Sequence, residues 1–98
     1  MSLGDFVRHM PKVELHDHLD GSLRPETIVD LARKAKVELP TSDPGELAAW
    51  FHRGADRKSL TLYLEGFGLS LSVLQTEEAL ERVAFETLED LAADNVVY

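Results

Sequence analysis

Two histidines separated by a single residue, His16 and His18, are the side chains of this sequence best suited to chemistry. On an extended strand, residues two apart point to the same side, with Cβ atoms roughly 7 Å apart. Both imidazole rings can then tilt toward one cation, and neutral imidazole is a good ligand for zinc and similar metals. Asp20 and Gly21 follow as a turn pair that places a carboxylate beside the histidines. The sequence therefore predicts the first two ligands of a metal site.

A simpler interpretation exists for each of these residues. Histidine pairs without a function occur on protein surfaces, and aspartate before glycine is a common turn pair. The position of the pair favours the metal site. Lys12–His16 alternates polar and apolar residues as a strand does, so the histidines follow at its C-terminal end. In α/β barrels the sites lie at the C-terminal ends of the strands.

The rest of the chain is predicted to be mainly helical. Four helices are expected: Pro25 to about Lys36, Pro44 to Phe51, one capped by Ser59 that carries Leu60 to Leu74, and one opened by Thr76 that stops near Asn95. Residues 52–58 are polar and are predicted to form a loop. On the last helix, the stripe predicted to be buried is Leu80, Val83, Ala84, Leu88 and Leu91. Val96–Tyr98 resembles the start of a buried strand, so the order indicates a parallel βα unit that is cut off partway.

Composition narrows the classes of partner and chemistry. The 98 residues suffice for one small domain, and the formal net charge of −8 disfavours nucleic acid and anionic lipid surfaces as partners. The absence of cysteine excludes disulfides, thiolate zinc sites and a cysteine nucleophile. No signal-peptide pattern or membrane-spanning stretch is recognised, so we expect a cytoplasmic protein that does not enter a membrane.

Three segments resemble the adenosine deaminase family of the amidohydrolase superfamily. Pro11–Thr27, which reads PKVELHxHLDGSLRPET, is similar to the opening signature of that family. Ser59–Phe67, which reads SLxxYLxxF, resembles the helix that covers its substrate pocket. Ala92–Tyr98 resembles the run into its second barrel strand. The resemblance extends over nearly the whole chain from Pro11 onward.

The resemblance implies a fold that is longer than this chain. It predicts an α/β architecture, the N-terminal part of a (β/α)8 TIM-type barrel, with a first strand, several helices and truncation at the second strand. Residues 1–98 would be the N-terminal fragment of a single metal-dependent hydrolase domain. Because such a barrel needs at least ~200 residues, the fragment alone is expected to be inactive.

The resemblance also implies roles for individual residues. His16 and His18 match the histidines that bind the catalytic zinc, one ion per full-length subunit. Asp20 matches the acidic residue that hydrogen-bonds a ribose hydroxyl of the nucleoside. In the family, purine and ribose pack against an apolar wall. The residues that match this wall are Leu60, Tyr63, Leu64 and Phe67. By itself, an apolar stripe at this spacing would indicate core.

The implied activity is hydrolytic deamination of adenosine to inosine and ammonia by a zinc-activated water. The family's remaining ligands and its proton-donating glutamate match nothing up to residue 98, so no catalytic residue is assigned within the chain. The substrate partner would be a purine nucleoside, and the oligomeric state stays open. Two alternatives remain: an adenine or modified adenine-nucleoside deaminase of the same superfamily, and a non-catalytic small helical interaction domain.

Overall fold

A computed structural model describes residues 1–55 and 58–98. Over these ranges the chain forms helices α1 (Leu3–His9), α2 (Pro25–Ala35), α3 (Pro44–Ala55), α4 (Leu60–Val73) and α5 (Glu77–Ala93), with a 3-10 turn at Leu19–Gly21. The four helices predicted from the sequence are confirmed. The loop predicted at 52–58 is wrong for residues 52–55, because they belong to α3. Asp56 and Arg57, the middle of that loop, lie outside the described residues. None of the helices in the described ranges is both long enough and apolar enough to cross a lipid bilayer.

Local capping explains where the predicted helices begin. The Thr76 hydroxyl accepts a hydrogen bond from the backbone N–H of Ala79, and the Asp43 carboxylate accepts one from Glu46 at 2.9 Å. These side-chain oxygens pair N–H groups that have no carbonyl partner within the first helical turn. Because these bonds span three residues, the sequence pattern alone is enough to locate them.

The predicted α/β fold is wrong. Within the described residues the chain forms no β-strand, so it is not a segment of a (β/α)8 barrel that begins with a strand at Lys12–His16. The only β-pairing described there is an isolated parallel bridge between Lys12 and Val96. The N–H of Lys12 donates to the Asn95 carbonyl at 3.0 Å, and that of Glu14 to the Tyr98 carbonyl at 2.8 Å.

The reason for the error is that a strand needs a neighbour as well as an alternating pattern. Polar and apolar residues do alternate over Lys12–His16, but among the described residues no backbone partner continues the pairing beyond Glu14. Periodicity reports which residues share a face, and it carries no information about the partner strand that must accept the hydrogen bonds. The segment therefore remains irregular until the Leu19–Gly21 turn.

The hydrophobic core joins α2 to the end of α4 and the start of α5. Its buried members are Leu31, Ala32, Val73, Leu74, Ala79 and Val83. Leu19 and Leu23 pack against this core from the two sides of the Asp20–Gly21 pair. The turn that follows the histidines is therefore attached to this core.

The buried face of α5 differs from the predicted stripe. Leu80 and Leu88 are 45% and 67% exposed, whereas the buried residues are Ala79, Val83 and Thr87. Val83 is thus buried as predicted, but the other predicted members are not. Leu80, Ala84 and Leu88 repeat every four residues, as do Ala79, Val83 and Thr87, so helical spacing predicts a buried stripe without deciding which of two adjacent stripes it is. Leucine is larger and more apolar than alanine or threonine, which is why the sequence favoured the wrong one.

An ion-pair network fastens α5 to the beginning of α2. Arg24, the residue before α2, donates to Asp90 at 2.8 Å and to Glu89 at 3.3 Å. Arg82 bonds both Asp30 and Glu86. Hydrogen bonds from Arg82, then from Arg33, lower the pKa of Asp30 to about 2. Each exposed pair stabilises little, but together they fix the register between the two helices.

Helix α1 was not identified from the sequence. Ser2 and Asp5 form a reciprocal capping box at its start. At its end the Lys12 ammonium donates to the Val7 and Arg8 carbonyls at 2.7 and 3.1 Å, and the Asn95 amide donates to the His9 carbonyl at 2.6 Å. The Ser-x-x-Asp spacing was the available signal, since such a box requires an acceptor three residues after the cap.

Leu47 gives a direct test of the packing between the helices. Its side chain on α3 is 0% exposed. We expect Leu47→Ala to lower the free energy of unfolding by about 2–5 kcal/mol, because it removes buried apolar surface and leaves a cavity. The matched control, Leu88→Ala, truncates an exposed leucine and should change stability by less than about 1 kcal/mol. Urea unfolding followed by circular dichroism measures both, and equal losses would contradict the described packing.

The depressed pKa of Asp30 predicts a pH dependence. A carboxyl with a lowered folded-state pKa contributes stability above its ordinary value of 3.8, and that contribution is lost as the pH falls toward 2. We therefore expect Asp30→Asn to lower the melting temperature at pH 7 and to change it little at pH 2. Thermal unfolding of both proteins from pH 7 to pH 2 tests this. A melting-temperature difference that stays constant over the whole range would exclude the ion pair as its cause.

Candidate functional site

The two histidines predicted as metal ligands lie side by side on the surface. The Nε2 atoms of His16 and His18 are 3.0 Å apart, with ring centroids 4.9 Å apart and ring planes inclined at 42°. Both residues are exposed and lie in the irregular segment that leads into the Leu19–Gly21 turn. The rings therefore present two nitrogen atoms to one small region of space.

This geometry fits two adjacent positions of a metal's coordination shell. Two nitrogens bound to a tetrahedral zinc at about 2.0–2.1 Å lie about 3.3 Å apart, close to the separation found here. The same distance also suits one N–H···N hydrogen bond if the two rings adopt complementary tautomers. Across the described ranges, no group of three or more histidine, aspartate or glutamate side chains is arranged to hold a metal ion. The histidine pair could therefore offer at most two ligands, fewer than the three that a catalytic zinc requires.

Hydrogen bonds within the turn fix the backbone around His18. The N–H of His18 donates to the Asp17 carboxylate at 2.8 Å, and its carbonyl accepts bonds from the Gly21 N–H and the Ser22 hydroxyl, both at 3.0 Å. Sequence reasoning gave Asp17 and Ser22 no role. Their short polar side chains can satisfy the backbone where no strand or helix does so.

A cavity of about 360 Å³ opens beside the turn, within the size range of small-molecule sites. Helices α2, α3 and α4 and the turn itself line it. Asp20 belongs to the lining, and its carboxylate is 4.0 Å from Nδ1 of His18, so the cavity begins next to the histidine pair. The lining residues with ionisable side chains are Asp20, His52, Arg53, Tyr63 and Glu65.

Two of the residues predicted to form the apolar wall line this cavity, and two do not. Tyr63 and Phe67 contact each other edge to face, with centroids 5.4 Å apart, and both lie in the lining. Phe67 also covers Gly21, where an added Cβ would be 3.2 Å from the ring. Leu60 and Leu64 are not part of the lining and are 72% and 48% exposed. The structure thus gathers Asp20, Tyr63 and Phe67 at one site and leaves the two leucines outside it.

The opposite wall comes from α3 and was missed by sequence reasoning. Trp50 and Phe51 line the cavity, as does Ser70 on α4. The Phe51 ring would be 3.0 Å from a Cβ at Gly66, so α3 and α4 approach closely at this point. The available signal was the single tryptophan of the chain, next to a phenylalanine on a helix that continues past the predicted end at Phe51.

Comparison with known proteins identifies the family. The profile described as adenosine deaminase matches residues 11–98. The adenosine deaminases of Mycobacterium ulcerans (strain Agy99) and Mycobacterium marinum are each 55% identical over 95 residues, which is 96% of this chain and 26% of theirs. Adenosine deaminase 1 of Streptomyces coelicolor is also 55% identical over 95 residues, or 24% of its length.

The chain thus spans about a quarter of the length of the curated relatives it matches. The matched region includes the histidine pair, the turn and the three helices around the cavity. No solved structure matches the chain.

Gly66 and Gly68 provide a matched test of the wall between α3 and α4. An added Cβ at Gly68 meets nothing within 4 Å, so Gly68→Ala should stabilise the helix by about 0.5–1 kcal/mol. The same change at Gly66 brings a methyl group against Phe51, so Gly66→Ala should fail to stabilise and should lower the melting temperature. Thermal unfolding measures both variants. A gain at Gly66 equal to that at Gly68 would show that Phe51 does not pack there.

Proposed function

This chain belongs to the adenosine deaminase family, and from that membership we propose that it forms the N-terminal part of a zinc-dependent enzyme that hydrolyses adenosine to inosine and ammonia. The observation that carries the proposal is the pairing of His16 and His18 beside Asp20, at the edge of an aromatic cavity. Because the chain spans only a quarter of its relatives' length, the activity proposed is that of a longer polypeptide, and the chain alone is expected to be inactive.

The two imidazoles are proposed to hold one zinc ion per full-length subunit. Their Nε2 atoms already lie about as far apart as neighbouring zinc ligands, so binding requires little rearrangement of the rings. Zinc held by His16 and His18 together with ligands from the rest of a longer chain would supply a water of lowered pKa, and so a nucleophile near neutral pH. The chain's own contribution is to fix the backbone of His18 through the bonds of the turn, with the His16 ring beside the His18 ring.

Asp20 is proposed to bind the ribose of the nucleoside. An ionised carboxylate accepts strong hydrogen bonds from hydroxyl groups, and Asp20 presents its carboxylate at the cavity within 4.0 Å of the histidine pair. A ribose held there would place the base beside Tyr63 and Phe67, whose rings offer apolar faces. For Leu60 and Leu64, contact with substrate would require a different position of α4 from the one described.

The exact substrate, the partners and the cellular location are also proposals. An adenine or modified adenine-nucleoside deaminase would use the same histidine pair, and substrate comparison separates it from an adenosine deaminase. The exclusion of nucleic acid and membranes as partners and the cytoplasmic location remain predictions from composition and sequence pattern.

A chimera tests the proposal in a complete chain. The whole 98-residue chain would replace the corresponding N-terminal segment of the Mycobacterium marinum adenosine deaminase, to which it is 55% identical over 95 residues. We expect the chimera to bind one zinc per subunit and to convert adenosine to inosine. His16→Ala combined with His18→Ala should abolish both properties. Asp20→Asn should lower kcat/KM for adenosine by about 10- to 100-fold, the effect expected when a charged hydrogen bond is lost.

The control is His9→Ala, which alters an exposed histidine on α1 that belongs to neither the pair nor the cavity lining. Metal analysis and the ultraviolet change on deamination measure the outcomes. A double-alanine chimera that kept its zinc and its activity would refute the metal assignment. A chimera that deaminated adenine in preference to adenosine would refute the proposed substrate.

A further inference from the structure

Ser70 is a buried polar residue in an otherwise largely aromatic and apolar part of the cavity. It lies on α4 and is only 4% exposed, yet it belongs to the cavity lining. Its hydroxyl has no hydrogen-bond partner among the described residues, and unlike the Thr87 hydroxyl its oxygen is not fully buried, so it is accessible from the cavity. By contrast, the hydroxyl of Ser72, two residues further along, donates to the Leu69 carbonyl at 2.6 Å. Two serines of one helix thus differ in whether their hydroxyl groups are satisfied within the protein.

A helical serine usually bonds a carbonyl of the preceding turn. Ser70 instead borders an open volume of about 360 Å³. A ligand atom in that volume could provide the missing partner. The hydroxyl can act as donor or acceptor, so either kind of ring heteroatom or an exocyclic amino group would satisfy it.

The surroundings of Ser70 define the shape and polarity of such a ligand. Tyr63, Phe67 and Ser70 follow one another at intervals of four and three residues, so they occupy one face of α4. Trp50 and Ile28 complete this region from α3 and α2. Aromatic walls favour a flat ring system, and the Ser70 hydroxyl beside them favours a ring that carries a polar atom at its edge.

We propose that Ser70 is a specificity-determining residue, whose hydroxyl forms a hydrogen bond with the purine base and so distinguishes it from an apolar ring of the same shape. This inference rests on the proposed function for its substrate class. It adds a role for Ser70 and for the α3 wall, neither of which is implied by the motifs. A polar partner in an apolar site discriminates strongly, because a ligand that lacks the matching group leaves the hydroxyl unpaired.

The test uses the 98-residue chain and needs no activity. Trp50 is its single tryptophan and lines the cavity, so its indole N–H signal in a nuclear magnetic resonance spectrum reports directly on cavity occupancy. The two probes are adenosine and indene, a bicyclic hydrocarbon of similar ring shape. We expect Ser70→Ala to weaken adenosine binding by about 5- to 10-fold, as for the loss of one net hydrogen bond, and to leave indene binding unchanged.

Two further measurements separate recognition from structural support. Ser72→Ala removes a hydroxyl from the same helix outside the cavity lining and should bind both probes as the parent chain does. Ser70→Ala should melt at about the same temperature as the parent, because the hydroxyl it removes has no hydrogen-bond partner among the described residues. A variant that is stable but selectively weak for adenosine supports the proposal.

Three results would overturn it: no Trp50 signal change with adenosine in the parent chain, equal adenosine affinity in Ser70→Ala and the parent, or an equal loss of both probes. These outcomes are independent of the chimera. If the chimera fails to deaminate while Ser70→Ala selectively loses adenosine, only the proposed function falls. If the chimera is active and Ser70→Ala binds adenosine normally, only the role of Ser70 falls.

Discussion

Helix α5 and the residues that follow it hold both ends of the segment that carries the candidate site. At one end, Lys12 bonds the Asn95 backbone, and its ammonium lies 3.4 Å from the Asp94 carboxylate. At the other end, Arg24 forks onto Asp90 through two nitrogens. Between these anchors, the Leu19–Gly21 turn is the only helical or strand element described. The position of the histidines thus depends on α5, which contributes neither of them and does not line the cavity.

The helices were predictable because the information that starts and stops them is local. Thr76 and Asp43 bond N–H groups three residues away, and Asn95, with φ of 61°, adopts the left-handed conformation that ends a helix. The strand prediction failed because its missing information is not local. Lys12 meets Val96 across more than eighty residues of sequence, and nothing in the alternating pattern indicates how far the pairing extends.

The residues of the candidate site likewise differ in whether local sequence was enough to predict them. His16, His18 and Asp20 were found because their chemistry is legible from spacing within five residues. Trp50 and Ser70 were not, because their membership of the cavity depends on how closely α3 approaches α4. That approach is set by the absence of a side chain at Gly66, beneath Phe51. From the sequence alone, a glycine in a helix indicates only a weak helix former. That it allows another helix to approach closely becomes visible only in the structure.

The proposed chemistry needs more protein than the described residues for two reasons. One is the missing metal ligands, and the other is the solvent exposure of the histidine pair. The His18 side chain is 69% exposed, so water screens any charge that the pair helps to stabilise. The same segment exposes 58% of Val13 and 85% of Leu15. Apolar side chains this exposed beside a polar site mark surface that another layer of protein commonly covers. A layer over Val13 and Leu15 would pack against the same segment that carries the two imidazoles, and would bury apolar surface that the described residues leave in water.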